Sequence, residues 1–418
     1  MNLFDTSYNG KYETDHIHIV LEEDIVLSEK GLENPKIYGL FVHEYIHYYQ
    51  HFGTLYGSQF CKMSNLLFLE TRLFLKDQGS VRLPFGIWQF NKYIDEYRKR
   101  KLSIAGSRTC GYTIDDIEIN ELEIELAKTG KRAVNIGVYD YGNDVADEKG
   151  FSFGYYCIIE YMAHAVQQMI NPEVEHNQVP YTAVELICRK IFPELLRDKK
   201  QLVTICMCSL MYDNPGVGFF DVIKYFQEHS DLKGPAFYEE FMQTTLISYK
   251  GYKYSLDYVG ETMLSEYRMA LEQQCGCSLQ YYNKVIGSFI GDFRKAKNGL
   301  LEWLYNGDVN DRKQFLALID VYGVPCIETP NCIQLPLSTD RRPYLETAAL
   351  MGFELWFRRF QKMDGDVCPW YHICKKTEYD ENSKVDEYCG KEQWKKTIEC
   401  LMSVSLRYYK LDKIKFIA

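Results

Sequence analysis

The sequence predicts an α+β protein that is predominantly α-helical. Three observations predict it. Residues 16–27 (HIHIVLEEDIVL) and Asp115–Tyr141 alternate at the period of a strand, and both lie in the first 180 residues. Beyond Pro180, nearly every stretch between turn signals runs at helical period. Between the two strand-like stretches lies an apolar segment with helix start and stop signals at its ends.

In chain order, residues 16–27 read as a strand or hairpin. His16 and His18 lie two apart on one strand face and read as exposed strand residues. Asn34 is placed to cap a helix whose first residue is Pro35, and Gly53 marks its end. Ile37, Leu40, Phe41, Val42, Ile46, Tyr49 and Phe52 leave that helix apolar around most of its girth, as a buried helix should be. Leu55–Lys76 and Trp88–Lys101 are the next two helices. Asp115–Tyr141 reads as an antiparallel hairpin turning at Thr129-Gly130-Lys131, with Glu118, Glu121, Glu123 and Glu125 facing water. A strong helix follows at Phe153–Ile170 and stops at Asn171-Pro172.

Helices are then expected at Tyr181–Phe192, Gln201–Tyr212, Gly218–His229, Ala236–Tyr249, Gly260–Gln274, Leu279–Tyr305, Asp311–Val321, Pro343–Phe360 and Lys391–Tyr409. The change from mixed to helical pattern places a boundary near Pro180. It divides the chain into residues 1–180, with a β-hairpin or sheet, and a helical part, 181–418, ending in a cysteine-rich segment.

Composition narrows the function classes. A 46% hydrophobic and 25% charged chain is ordinary for a globular protein. A net charge of −10 argues against a general nucleic-acid binder. The longest apolar run, Leu202–Tyr212, is too short to span a bilayer, so no membrane partner is expected. No basic segment followed by an apolar run opens the sequence, and a cytoplasmic location is the default expectation. The 14 cysteines then read as thiols and metal ligands ahead of disulfides. The 34 tyrosines suit half-buried surfaces, or reflect a compositional habit.

The chemistry centres on Val42–Gln50, VHEYIHYYQ. His43 and His47 are four apart on the buried helix, so they share a face about 6 Å apart along the axis. Two imidazoles so placed can converge on one metal ion at about 2.0–2.1 Å. Glu44 flanks the ion without ligating it, where a general base takes a proton from metal-bound water. His51 shares the face, but eight residues of straight helix is about 12 Å, too far for the same ion.

At His43, Glu44 and His47 the sequence resembles the zincin metallopeptidases. The resemblance covers a short part of the chain. It implies two zinc-binding histidines, a glutamate as general base, a third protein ligand from further along and a strand beside the substrate cleft. The subgroup that takes its third histidine from just past the motif needs a glycine turn there. Gln50 and His51 stand in that place, which points to the glutamate-ligand, gluzincin type. Glu160 is the first choice for the third ligand, because a carboxylate in an otherwise apolar helix needs a metal or a hydrogen-bonding partner. Glu70, within LLFLETRLFL, is the runner-up; its distance from the motif is closer to that of the compact gluzincins. His164 lies one turn after Glu160, where gluzincins often carry an acidic residue. It is a candidate catalytic residue, as an outer partner of a motif histidine or as a donor to the substrate oxyanion.

Further along, Cys368, His372, Cys374 and Cys389 cluster within two dozen residues and could hold a second, structural zinc, although their spacing is not a standard knuckle. The expected activity is zinc-dependent hydrolysis of a peptide or protein substrate. The rival expectations are a non-catalytic zinc-binding interaction protein, with a protein partner on the helical C-terminal part, and a zinc hydrolase of a non-peptide amide or ester.

Overall fold

The computed structural model describes residues 10–13, 18–82, 92–110, 113–139, 149–275, 279–334, 346, 368, 371–376, 385–391, 395–396 and 400–417. It is α+β and predominantly helical, with four small sheets among the described residues. No helix there is long and apolar enough to cross a membrane.

The central helix, α1 (Pro35–Gly53), forms as its end signals dictate. The Asn34 side chain accepts from Lys36 N, and Pro35 occupies the first turn. Such a cap is worth about 1 kcal/mol. Gly53 stays helical; the chain turns at Thr54. The Thr54 hydroxyl donates to Gln50 O at 2.7 Å and accepts from Gly57 N at 3.0 Å, so one side chain closes α1 and starts α2 (Leu55–Gln78). Gly57 is needed at this corner, since a Cβ there would sit 2.3 Å from His51 O.

Tyrosines fasten α1 to the C-terminal part. Tyr45 donates to Gly323 O and Tyr48 to Tyr322 O, at 3.0 and 2.7 Å. These carbonyls lie at the end of α14 (Arg312–Tyr322), where helices leave acceptors without intrahelical partners. Tyr38 donates to Val309 O at 2.8 Å, and Phe315 of α14 packs against the rings of Tyr38, Phe41 and Tyr45. Rings that bury apolar area and still end in a donor suit a helix enclosed on nearly every side.

Two strands near the N-terminus, β1 (Gly10–Glu13) and β2 (His18–Leu21), pair antiparallel. β2 also runs parallel to β9 (Cys326–Glu328), which pairs with β10 (Ile333–Gln334). This four-stranded sheet crosses the boundary expected near Pro180, as do the tyrosine contacts of α1. His18 is buried, with Nε2 3.3 Å from Glu328 on β9, in place of the exposed position expected; His16 lies outside the described residues.

The stretch Asp115–Tyr141 differs from the hairpin its alternation suggests. Only β4 (Asp116–Glu118) precedes a helix, α4 (Glu121–Gly130), before β5 (Val134–Tyr139) returns antiparallel to β4. The Asn120 side chain caps α4, Glu121 and Glu123 face its positive end, and Lys131 closes it in the left-handed region at φ 49°. Capping and helix propensity outweigh a period-two pattern whose apolar members Leu122 and Leu126 stay exposed. β5 pairs with β6 (Lys149–Phe153), which feeds through Gly154 into α5 (Tyr155–Ile170).

Two of the expected long helices are broken. Ala236–Tyr249 ends as a helix at Thr244 and enters a hairpin, whose turn residues Lys250 and Gly251 both have positive φ. Leu279–Tyr305 divides into Gln280–Arg294 and Gly299–Asn306, with Asn298 capping the second. The helix expected at Pro343–Phe360 lies outside the described residues apart from Glu346.

Candidate metal centre

α5 packs along α1, and its inward stripe is Tyr156, Glu160, His164 and Gln167, one helical turn apart each. Glu160 meets the two motif histidines there. Its Oε2 is 3.3 Å from His43 Nε2 and 3.4 Å from His47 Nε2, and the two nitrogens are 3.2 Å apart. All three side chains are largely buried. Four ligands at zinc distances of about 2.0–2.1 Å in a tetrahedron lie about 3.3–3.4 Å from one another. The three atoms therefore stand near the corners of one face of such a tetrahedron. Among the described residues this is the one group of three or more histidine, cysteine or carboxylate atoms that converges tightly enough to hold a metal.

The imidazoles are held in the tautomer that ligation needs. His43 Nδ1 lies 3.0 Å from Gln167 Oε1, and His47 Nδ1 lies 2.9 Å from Gln50 Oε1. Gln50 is oriented by its own amide, which donates to Ile159 O at 3.2 Å, so its oxygen must face His47. An amide oxygen can only accept, so each Nδ1 donates and each Nε2 turns its lone pair inward. Three acceptors then face each other across about 3.3 Å, which is repulsive without a cation between them. In the metal-free protein a proton answers part of that repulsion. Burial works against a charge on His47, but the adjacent Glu160 carboxylate outweighs it and lifts His47 to about 9. Burial likewise works against the Glu160 carboxylate, and His47 with His43 holds it well below the usual range.

Glu44 is buried on α1, close enough for its charge to favour the protonated form of His47. His164 is buried and neutral: desolvation, with His176 and His43 nearby, holds it down to about 3. Its ring lies 5.0 Å from His176 and 5.7 Å from Tyr181. His176 and Tyr181 stack on each other at 4.2 Å, and each ring centroid is 6.2 Å from that of His43. Neither was singled out in the sequence: His176 lies in the loop after α5, which gives no periodic signal, and Tyr181 ends a short helix, Gln178–Tyr181, with nothing local to set it apart from the other tyrosines. His47 also walls a cavity that opens to solvent, together with Gln50, His51, Tyr155 and Tyr156.

Glu70 sits half-buried on α2, outside the converging group. His51 is also outside it, stacked on Phe52. The sulfurs of Cys368, Cys374 and Cys389 do not form a group tight enough to hold a metal, although Cys389 and Cys400 act on Cys374 through space; Cys389 Sγ faces Lys396 Nζ at 2.8 Å. The side chain of His372 lies outside the described residues.

The two glutamines carry a testable role. Gln50→Ala or Gln167→Ala should weaken zinc binding about 10–100-fold while leaving all three ligands in place. Titration against a chromophoric chelator measures this; unchanged affinity in both variants would show that the amides do not position the imidazoles.

No family model matches the chain, and neither the curated proteins nor the solved structures contain a match.

Proposed function

We propose that the chain is a zinc-dependent hydrolase that cleaves peptide bonds, with His43, His47 and Glu160 as a gluzincin-like ligand set. The convergence of three ligand atoms at 3.2–3.4 Å, with both imidazoles oriented by amides, carries the proposal. Three protein ligands leave a fourth position open, as catalytic zinc sites do. Zinc there would polarise a substrate carbonyl and bring the pKa of water towards about 7. Glu44 takes a proton from the attacking water and returns it to the leaving nitrogen. His164 and Tyr181, whose rings lie 5.7 Å apart with Tyr181 6.2 Å from His43, would donate hydrogen bonds to the oxyanion. A cytoplasmic setting agrees with the cysteines, since every described one with a placed side chain is a free thiol.

A second reading, hydrolysis of a small non-peptide amide or ester, draws on the cavity beside His47, a recess of limited volume. One experiment separates the readings. Purified full-length protein is expected to contain zinc and to cleave members of a peptide library, with activity lost to a chelator and restored by Zn²⁺. Cleavage confined to small amides or esters would favour the second reading. A zinc-loaded protein that cleaves neither would leave the interaction-protein reading standing.

A further inference from the structure

We propose that the cavity beside His47 is a subsite for a carboxylate carried by the substrate, with the Lys101 ammonium as its counter-ion. This rests on the hydrolase reading and deepens it by naming a substrate class. Lys101 projects from α3 (Lys92–Ala105) and is 6% exposed. Its Nζ lies 3.0 Å from the ring centroid of Tyr56 and 5.3 Å from that of Tyr97, and it donates to Tyr56 O at 3.4 Å. Among the described residues no carboxylate forms an ion pair with it. Asp213, the acid that acts on it through space, is held by Arg100 at 2.6 Å and Gln59 at 2.5 Å.

A desolvated ammonium with only ring faces and one carbonyl is incompletely compensated. Burial pushes Lys101 well below the usual lysine range, so the charged form gains from any anion that enters. The cavity is where an anion can enter. Lys101 lines it, and among the described residues no aspartate or glutamate does. Phe60, Tyr155 and Tyr156 supply aromatic walls. His51, also in the wall, adds no charge, because burial and the Lys101 cation hold it down to about 3. His47 and Lys101 line the same cavity, so a carboxylate held at the ammonium belongs to the part of the substrate next to the centre. A single ammonium balances the one charge of a carboxylate, whereas a phosphate monoester carries about −1.5 to −2. The carboxylate has two possible sources, an acidic side chain beside the scissile bond or the C-terminus of the substrate.

Calorimetry on the full chain, zinc-loaded and zinc-stripped, tests this with two probe pairs. N-acetylphenylalanine against its amide represents the terminal carboxylate. N-acetylglutamic acid α-amide against N-acetylglutaminamide represents the side chain. In at least one pair the acid should bind about tenfold or more tightly than its neutral partner, in both metal states. The preference should vanish in Lys101→Met and persist in Lys101→Arg. The pair that shows it identifies the source. Equal affinities in both pairs, no binding by any probe, survival of the preference in Lys101→Met, or a preference seen only with zinc bound would each overturn the proposal. The comparison on the unsubstituted chain decides even if Lys101→Met fails to fold. Acid-selective binding by a zinc-loaded protein that cleaves nothing would sink the hydrolase reading and leave the subsite standing.

Discussion

Glu160→Ala is expected to bind zinc far more weakly than the unsubstituted chain, and Glu70→Ala to bind it as tightly as that chain does. The Glu160 carboxylate is the only anion in the converging group, and its Oε2 closes the triangle with both Nε2 atoms. Its removal leaves two neutral imidazoles, which bind a divalent cation without charge compensation. The loss should exceed that from removing an outer hydrogen-bond partner, so affinity should fall by more than about 100-fold. Glu160→Gln keeps the shape and one oxygen but not the charge, and should fall between the two. Zinc competition titrations and metal content after gel filtration give the answer. Wild-type affinity in Glu160→Ala would remove the carboxylate from the ligand set. Zinc loss in Glu70→Ala alone would move the assignment to α2.

Much of the site is legible in the sequence because it depends on local chemistry. Asn34, Pro35 and the spacing of His43 and His47 specify a capped helix with one ligand face, and α1 forms with that cap. Glu160 stands out as a carboxylate in an apolar helix. Its partners on the same stripe are harder to read. Gln167 is an amide, with no charge to make its burial conspicuous, yet it orients His43. Gln50 marks the absence of a glycine turn in the sequence, whereas in the structure it orients His47.

What the sequence conceals is mostly long-range. The pairing of β2 with β9 and the tyrosine bonds from α1 to the end of α14 join segments far apart in the chain. Neither leaves a local period, so the sequence shows only the change of pattern at Pro180. The failure at Glu121–Gly130 has a different origin. Alternation there competes with a cap and a run of good helix formers, and the local backbone terms prevail, leaving Leu122 and Leu126 exposed while Ile124 packs on the core.

Glu44→Gln separates an enzyme from a scaffold. Glu44 is buried on α1 beside the first ligand and belongs to neither the converging group nor the amides that orient it. The substitution preserves size and hydrogen-bonding capacity but removes the ability to accept a proton. Zinc content and melting temperature should therefore stay near those of the unsubstituted protein. Hydrolysis should fall by about 10²–10⁴-fold, the usual contribution of a general base, because the attacking water no longer has an acceptor and the leaving nitrogen no donor. The loss should appear in kcat with KM little changed, since Glu44 acts on the reacting atoms and not on the remainder of the substrate. A purely structural glutamate would behave differently: replacing it would lower the melting temperature and spare turnover. Full activity in a zinc-loaded Glu44→Gln protein would exclude Glu44 as the base and, with no other carboxylate converging at the centre among the described residues except ligand Glu160, would count against hydrolysis at this site.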